Sequence, residues 1–345
     1  MKHSTRHQYQ YQYQRWIPEM RRQGAGAALA LAILLVLAVV AAGSAQAQIY
    51  TYNVLHAFTG LSDGANPMGG LVLDAQGNLY GTAYFGGDPA CECGVVFKVD
   101  TSGNQTILYS FTAGDGHPRG NLVMDALGNL YGATYSNGAI YEVDTNGNHT
   151  VLYSFTGGAD GGEPLGSLVR DDQGNLYGTA DMGGNLDCPY SIYHDTGCGT
   201  VFKLDPAGNL TVLYAFCTQA NCADGAFPNG GLVRDTQGNL YGTTVLGGAY
   251  RNARDMPCGL GCGTVFKVDA SGNYTVLHSF DFNPREGRLD GFVPNGGLVM
   301  DGQGNLYGVT GFGGAGRENR GTVFKVDASG NESVLYSFGG RWHPP

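Results

Sequence analysis

The pattern of apolar and polar positions repeats five times along the chain after residue 59. Each copy opens with an apolar pair and an aspartate and runs through Gly-Asn into a Leu-Tyr-Gly segment, with its first leucine at Leu71, Leu122, Leu168, Leu232 or Leu298. A second apolar segment then begins at Gly94, Gly138, Gly199, Gly263 or Gly321, and a third ends at Phe111, Phe155, Phe216, Phe280 or Phe338. The aspartates of successive copies are 46 to 66 residues apart, a period typical of propeller blades with loops of varying length.

Each copy predicts four short strands, with sequences of the kind GLVRD, NLYGT, GTVFKVD and TVLYSF. Apolar residues fall on both faces: in the third copy Val201 lies on one side of its strand and Phe202 on the other. Such sheets have to be covered on both sides, as blades stacked between two neighbours are. The motif Asp-x-x-Gly-Asn, as in Asp74 to Asn78 and Asp205 to Asn209, predicts hairpins between strands one and two and between strands three and four. The long, variable loops therefore belong to the opposite face.

These observations predict an all-β fold, a β-propeller of five four-stranded blades preceded by an N-terminal signal helix. The five repeats span about 60–111, 112–155, 156–216, 217–280 and 281–338, within one domain of residues 48–345. One strand is left over, because residues 54–58 match the fourth strand of a repeat and compete with residues 334–338 for one outer position. We expect five blades with the losing segment as a marginal edge strand; the alternative is six blades with one incomplete.

Residues 1–47 have the layout of a targeting segment. Five basic residues precede an apolar run over about residues 27–42, and the small-residue motif Ala45-Gln46-Ala47 follows it. This layout predicts an exported protein, extracellular, periplasmic or on the cell surface, with cleavage after Ala47. The alternative is an uncleaved membrane anchor, because the apolar run is almost long enough to span a bilayer.

Composition and charge narrow the class of protein further. With 58 Gly and 13 Pro in 345 residues, the chain is unsuited to a helical bundle, while 42% apolar residues are enough for a sizeable core. Loss of the targeting segment removes five basic residues and one acidic residue, so the net charge changes from −10 to −14. Such a surface repels phosphate backbones, and we expect no nucleic-acid partner.

The repeated GGLV, GNLYGTT and GTVFKVD blocks resemble the GloVer tandem repeat of exported bacterial proteins, a group named for its varied choice of anchor. The resemblance covers roughly residues 54–338 and implies an exported repeat protein, but it carries over no activity and no catalytic residue. A weaker similarity is to NHL-type propeller repeats, whose blades also pair an apolar strand ending in Asp with a Gly-Asn hairpin. The C-terminal residues 342–345 contain no apolar anchor, so we expect no attachment at that end.

All eight cysteines lie after the targeting segment, in or beside predicted loops. An even number in an exported chain predicts disulfides. The local pairs are Cys188 with Cys198, Cys217 with Cys222, and Cys258 with Cys262. The close pair Cys91 and Cys93 is strained if bridged internally, and we expect it to stay reduced or to pair elsewhere. Zinc is the alternative, but Cys93, Cys198 and Cys262 occupy equivalent places in different blades and lie too far apart for one site.

Two groups of residues are candidates for a binding site on the long-loop face. The first is a set of Asp-Gly aspartates, each preceding a proline, expected near the channel mouth: Asp63, Asp115, Asp160, Asp224 and Asp290. Their repetition equally fits simple turn capping. The second is a set of residues that depart from the repeat and is the better place to look for an enzyme, because a histidine with carboxylates could act as acid and base. It contains His117, Arg119, Glu163, His194, Asp195, Arg251, Arg254 and Asp255. We expect no metal and no cofactor in either group.

No G-x-S-x-G, H-E-x-x-H or P-loop pattern occurs in the chain, and the sequence favours a non-enzymatic protein. We expect a binding or cell-surface interaction module, a monomer whose partner is an envelope protein or a polysaccharide. Contact with a membrane is expected only through an uncleaved N-terminal segment. The alternative is an extracellular hydrolase or lyase that acts on a carbohydrate or lactone through acidic residues at the channel mouth.

Overall fold

The structure, a computed structural model, describes residues 53–135, 138–189, 197–249, 261–283, 288–315 and 320–339. All described strands belong to the compact unit Val54–Pro345. The expected N-terminal helix, and with it the cleavage site, lies outside the described residues. Within them the sole helical element is a short 3-10 turn at Ala220–Cys222, and no helix is long and apolar enough to cross a membrane.

Five antiparallel sheets, here called blades 1 to 5, follow one another along the chain. Blade 1 contains β1 (Val72–Leu73), β2 (Leu79–Ala83), β3 (Val95–Val99) and β4 (Gln105–Ser110). Blade 2 contains β5 (Pro118–Met124), β6 (Leu130–Thr134), β7 (Ala139–Val143) and β8 (His149–Ser154). Blade 3 contains β9 (Val169–Arg170), β10 (Leu176–Ala180), β11 (Thr200–Leu204) and β12 (Leu210–Ala215). Blade 4 contains β13 (Val233–Arg234), β14 (Leu240–Thr244), β15 (Thr264–Val268) and β16 (Tyr274–Ser279).

Blade 5 has the same order with its first strand in two pieces. A separate hairpin of β17 (Phe282–Asn283) and β18 (Arg288–Leu289) precedes it. The blade itself contains β19 (Gly291–Pro294), β20 (Val299–Met300), β21 (Leu306–Gly313), β22 (Thr322–Val326) and β23 (Glu332–Ser337). Both β19 and β20 pair with the long strand β21. The five four-stranded blades expected from the repeat are thus confirmed.

Successive blades pack face to face through their apolar side chains. Each of four core clusters joins a blade to the next one; for example, Val96 and Phe111 of blade 1 lie against Leu122 of blade 2. Leu122, Leu168, Leu232 and Leu298 hold the same place in their repeats, and all four are buried. This face-to-face series of double-sided sheets is the β-propeller arrangement.

Just before their first strands, successive blades approach each other closely through glycines. A Cβ on Gly166 would lie 2.7 Å from the carbonyl oxygen of Gly230, and one on Gly230 would lie 2.7 Å from that of Gly296. Side chains bridge the same row: the hydroxyl of Thr179 donates to the carbonyl of Gly230 at 3.2 Å. The first strands are therefore at the inner end of each blade and the fourth strands at the outer end.

Hairpins close the blades on one face, as the Asp-x-x-Gly-Asn motif predicts. In blade 3, Asp205 Oδ1 accepts hydrogen bonds from the backbone N–H groups of Ala207 and Asn209, and the Asn209 side-chain amide donates to Asp205 Oδ2 at 3.0 Å. The glycine between them, Gly208, has a φ of +86°, which side chains disfavour. The same clasp recurs in both hairpins of every blade.

Residues 54–58 do not form a strand and do not pair with β23 within the described residues. They lie against blade 1 instead: the Phe58 ring contacts Phe97 edge to face at 5.0 Å, as Phe155 contacts Phe202 between blades 2 and 3. Leu55 contacts Gly103 as Leu108 contacts Gly147. This is the place of a fourth strand in a blade preceding blade 1, which matches the alternative of an incomplete sixth blade.

Candidate functional site

The disulfides brace loops on the long-loop face, opposite the clasped hairpins. Cys188 is bonded to Cys198 and Cys217 to Cys222, as the sequence predicts. Cys262 is also disulfide-bonded, while its expected partner Cys258 lies outside the described residues.

The expectation for Cys91 and Cys93 was wrong, because these two cysteines are bonded to each other. Glu92 between them adopts a φ of +52°, and this left-handed residue brings the two Cα atoms to 5.1 Å. That separation lies in the usual range for a disulfide.

The five Asp-Gly aspartates are turn caps at the outer end of the blades. Asp115 Oδ2 accepts hydrogen bonds from the backbone N–H and the hydroxyl of Thr112 and, at 2.7 Å, from the hydroxyl of Tyr109 on β4. Asp160 and Asp224 accept equivalent bonds from the fourth strands of the preceding blades, from Tyr153 of β8 and Tyr214 of β12. The structure therefore places Asp115, Asp160 and Asp224 beside outer strands and not at the inner end of the blades, because each is bonded to its own loop and to the fourth strand before it.

Unlike groups do meet at the inner end of blades 1 to 3, on the long-loop face. In each of these repeats a proline follows the Asp-Gly pair, and the backbone carbonyl of the residue before that proline accepts a hydrogen bond from the residue after the second strand. The Tyr135 N–H donates to the His117 carbonyl at 2.7 Å, and the Asp181 N–H donates to the Glu163 carbonyl at 3.1 Å. The sequence singled out His117, Arg119 and Glu163 but not their partners in the fold. The resulting group is here called the inner cluster and consists of Tyr84, His117, Arg119, Tyr135, Glu163 and Asp181.

Side chains of the inner cluster form a continuous set of contacts. The rings of Tyr84 and His117 stack with centroids 4.8 Å apart. The Tyr84 and Tyr135 rings are 6.4 Å apart, and the Arg119 guanidinium lies 5.4 Å from the centre of the Tyr135 ring. The Tyr135 hydroxyl donates a hydrogen bond to the Glu163 carboxylate. Aromatic faces, a cation and carboxylates thus line one small area.

Two carboxyl groups of the inner cluster have raised pKa values. Burial, and then the negative charge of Glu163, raise the pKa of Asp181 to about 6, and Arg119 partly opposes this. Burial also raises the pKa of Glu163, against the hydrogen bond from Tyr135 and the charge of Arg119. Carboxyl groups with raised pKa values accumulate at functional sites because binding and catalysis need partly desolvated charge.

Within the part of the chain that the structure describes, the inner cluster does not extend into blade 4. In blade 4 the places of Glu163 and Asp181 are taken by Phe227 and Val245, whose backbone bond is the same. The sequence signal for Tyr84, Tyr135 and Asp181 is their place directly after the second strand, where blades 4 and 5 have Val245 and Gly311. His194, Asp195, Arg251, Arg254 and Asp255 lie outside the described residues.

A second group of unlike side chains lies between blades 4 and 5 at their outer end. His278 Nε2 is 3.3 Å from Asp290 Oδ2, and ligand atoms of these two residues and of Glu332 lie within 4.8 Å of one another. A cavity of about 590 Å³ beside them is lined by His278, Asp281 and Asp290 among others. A histidine with two carboxylates is a donor set that could hold a divalent cation.

A family model described as the Gloeobacter/Verrucomicrobia repeat matches residues 44–193 and again residues 190–343. This match confirms the repeat resemblance seen in the sequence. No match was found among curated proteins.

The solved structures to which this chain is similar are distant in sequence. A chain of a nidogen/laminin complex is 18% identical, with 79% of this chain and 80% of that chain covered and a TM-score of 0.48. A gluconolactonase from Xanthomonas campestris is 20% identical, with 79% and 76% covered and a TM-score of 0.48. Virginiamycin B lyase from Staphylococcus aureus is 12% identical, with 81% and 86% covered and a TM-score of 0.43.

Proposed function

This chain belongs to the Gloeobacter/Verrucomicrobia repeat family, and from that premise we propose that it is an exported propeller that binds a polysaccharide through the inner cluster. The disulfides support export, because such bonds persist in oxidising compartments outside the cytoplasm. The single observation that carries the proposal is the gathering of Tyr84, His117, Arg119, Tyr135, Glu163 and Asp181 at the inner end of blades 1 to 3.

The chemistry of the inner cluster suits sugar rings. Tyr84, His117 and Tyr135 offer aromatic faces, on which the C–H faces of a sugar can pack. Arg119 can donate hydrogen bonds to ring substituents, and Glu163 and Asp181 can accept them from hydroxyl groups. A small number of placed polar groups beside aromatic rings is the usual composition of a small-ligand site.

A binding assay with matched variants tests the proposal. The secreted form is applied to a glycan array that includes bacterial envelope polysaccharides, and the dissociation constant of the best ligand is measured. We expect Arg119→Gln and Tyr135→Ala each to weaken binding about tenfold, the loss of one good contact at a hot spot. The control Asn229→Gln, at the place of Arg119 in blade 4, should bind normally. Equal binding by all variants, or no glycan bound at all, would contradict the proposal.

One observation favours a second candidate, a hydrolase or lyase at the same place. Asp181, with its pKa raised to about 6, lies close enough to Glu163 for their charges to interact, and two carboxyls in different protonation states can act as acid and base. In that case the bound glycan would be cleaved over time, and Asp181→Asn would abolish cleavage while leaving binding largely intact. Stable binding without product supports the first candidate.

A further inference from the structure

The group of His278, Asp290 and Glu332 joins three separate segments at the outer end of the interface between blades 4 and 5. His278 lies on β16 of blade 4, Asp290 comes directly before β19, and Glu332 begins β23 of blade 5. Ligand atoms of the three residues lie within 4.8 Å of one another. From the sequence we expect no metal at Asp290, but the fold brings it to a histidine and a second carboxylate.

Two of these three side chains have buried polar atoms that are not hydrogen-bonded. Within the part of the chain that the structure describes, His278 Nε2 and Glu332 Oε1 are buried and have no hydrogen-bond partner. Burying a polar atom without a partner is costly, and folded proteins contain few such atoms. A cation bound between the three groups would satisfy both atoms at once.

Asp290 is held differently from its equivalents before blades 2 to 4. Each of those aspartates accepts hydrogen bonds from a tyrosine of the preceding fourth strand and from a nearby threonine; they are Asp115, Asp160 and Asp224. Before blade 5 the sequence has His278 in place of that tyrosine and Asp281 in place of that threonine. Among the described residues, the Asp290 carboxylate accepts one hydrogen bond, from the Asp281 N–H at 3.4 Å. It therefore keeps acceptor capacity for a cation.

The place where residues 54–58 lie against blade 1 shows what Glu332 adds. It also has a histidine and an aspartate, with His56 Nε2 3.5 Å from Asp63 Oδ2. Thr59 donates to the Asp63 carboxylate, however, and the residue at the place of Glu332 is Gln105, whose side-chain amide donates to the Asp63 carbonyl at 2.9 Å. That place therefore has no second carboxylate, and its aspartate is capped like those before blades 2 to 4.

We propose that His278, Asp290 and Glu332 bind one divalent cation of the zinc class. Ligand atoms at about 2.1 Å from a tetrahedral zinc ion are about 3.4 Å apart. The distance from His278 Nε2 to Asp290 Oδ2 is 3.3 Å, and these two atoms are not hydrogen-bonded to each other. An imidazole nitrogen beside two carboxylates suits zinc better than calcium or magnesium, which take oxygen ligands.

A cavity of about 590 Å³ lies beside the proposed site and gives a cation a way in. His278 and Asp290 line it, together with Asp281. The carboxylate of Asp281 adds negative charge to the cavity wall, and such charge concentrates cations. Three protein ligands leave one of the four zinc positions for a water molecule, and the cavity has room for that water.

A cation at this place fastens blade 4 to blade 5. One ligand comes from the fourth strand of blade 4 and two come from blade 5 and the residue before it. These three segments lie apart in sequence and meet only in the folded chain, so the cation binds the folded state and stabilises it. This role is independent of the inner cluster and of polysaccharide binding.

Calorimetric titration with zinc tests the site. The secreted protein is used without a histidine tag, with its disulfides intact, and is freed of metal with a chelator that is then removed. We expect one tightly bound zinc ion per chain. His278→Tyr and Glu332→Gln should each weaken binding at least about 100-fold, because loss of groups that merely orient a metal ligand already costs about 10–100-fold.

Both variants restore residue types that other repeats have at these places, Tyr214 and Gln105 for example, so they should fold. The control His56→Tyr makes the same change beside Asp63 and should bind zinc like the natural protein. No zinc bound by the natural protein, or normal binding by either variant, would overturn the proposal.

Thermal melting gives an independent measurement. The melting temperature of the natural protein should rise with zinc concentration, and that of His278→Tyr and of Glu332→Gln should stay the same, because a ligand of the folded state alone stabilises it. Calcium at the same concentration should have a smaller effect on the natural protein. An equal rise in all three proteins would place the zinc elsewhere, and a larger effect of calcium would remove His278 from the ligands. Either result overturns the proposal.

Discussion

A single place in the repeat shows how much one residue changes the chemistry of a blade interface. The first residue of the fourth strand is His149 in blade 2, Tyr274 in blade 4 and Glu332 in blade 5. His149 and Tyr274 stack on tyrosines of the preceding blade, at 4.3 and 3.8 Å. Glu332 instead meets His278 and Asp290. Burial, and then the charge of Asp290, raise its pKa to about 7, although His278 opposes this.

The raised pKa of Glu332 predicts a stability that depends on pH. A free glutamate has a pKa near 4.3, so between about pH 4.5 and 7 the folded chain holds a proton that the unfolded chain has lost. The contribution of this residue therefore becomes less favourable as the pH rises through that range. We expect Glu332→Gln to raise the melting temperature at pH 8 and to leave it unchanged at pH 4.5. An equal effect at both pH values would mean that Glu332 ionises normally in the fold.

The residues of the inner cluster show what the sequence can and cannot supply. His117, Arg119 and Glu163 stand out because they interrupt a repeat. The sequence does not single out Tyr84, Tyr135 and Asp181, because residue types vary freely at this place in the repeat. These residues come close to His117, Arg119 and Glu163 only through backbone hydrogen bonds between segments that are apart in sequence. The Asp-Gly aspartates, in contrast, are easy to recognise in the sequence, but their place in the fold was not predictable from it. Their spacing is regular, but partners such as Tyr109 hold them at the outer strand.

At the scale of the element, the strands and hairpins were almost fully predictable. Alternating apolar residues and the Asp-x-x-Gly-Asn turn are local signals, and the structure reproduces them in every blade. The split of the first strand of blade 5 into β19 and β20 was not predictable, since it depends on the unusual length of β21. The sequence also did not predict that residues 54–58 lie against blade 1. Their match to a fourth strand equally allows them to lie beside the outer strand of blade 5.

A leucine-to-alanine substitution at the same place in the repeat is expected to lower the free energy of unfolding by different amounts in blade 5 and in blade 1. Leu298 is 6% exposed between blades 4 and 5, whereas Leu71 has the same place in blade 1 with no preceding sheet over it among the described residues. We expect Leu298→Ala to lower the free energy of unfolding by about 2–5 kcal/mol and Leu71→Ala by less than about 1 kcal/mol. Urea unfolding at concentrations where the protein is a single chain measures both. Similar losses would show that Leu71 is covered within the chain.

At the scale of the whole molecule, the inner glycine row sets how closely the blades approach. Gly230 has no side chain, and the carbonyl oxygen of Gly296 and the hydroxyl of Thr243 occupy the space a Cβ would need, at 2.7 and 3.0 Å. The contact with Gly296 joins equivalent residues of successive repeats. The repeated Gly-Gly pairs are visible in the sequence, but their role in spacing blades is not, because it arises only when the first strands converge.

Substitution in the glycine row is expected to destabilise the array. Gly230→Ala should lower the free energy of unfolding by about 1–3 kcal/mol, since the Gly296 backbone and the Thr243 side chain have to move. Gly302→Ala is a matched control, because nothing lies within 4 Å of its Cβ position and blade 1 has Ala75 at the same place. The control should be neutral or slightly stabilising. Chemical denaturation of the two variants gives the comparison, and a neutral Gly230→Ala would mean that the row is loosely packed.

The clasp between Asp205 and Asn209 has a consequence for how the protein is produced. Asn209 is followed by Leu210 and Thr211, an Asn-x-Thr acceptor for N-linked sugar, and the matching asparagine in the second hairpin of every other blade is followed by the same kind of triplet. The nitrogen that would carry the sugar is the one that donates to Asp205. A eukaryotic secretory host that glycosylates these sites would replace one of the two hydrogens on this nitrogen with a sugar, inside the turn between the third and fourth strands of each blade. A bacterial periplasm without that modification leaves the clasp as the structure shows it.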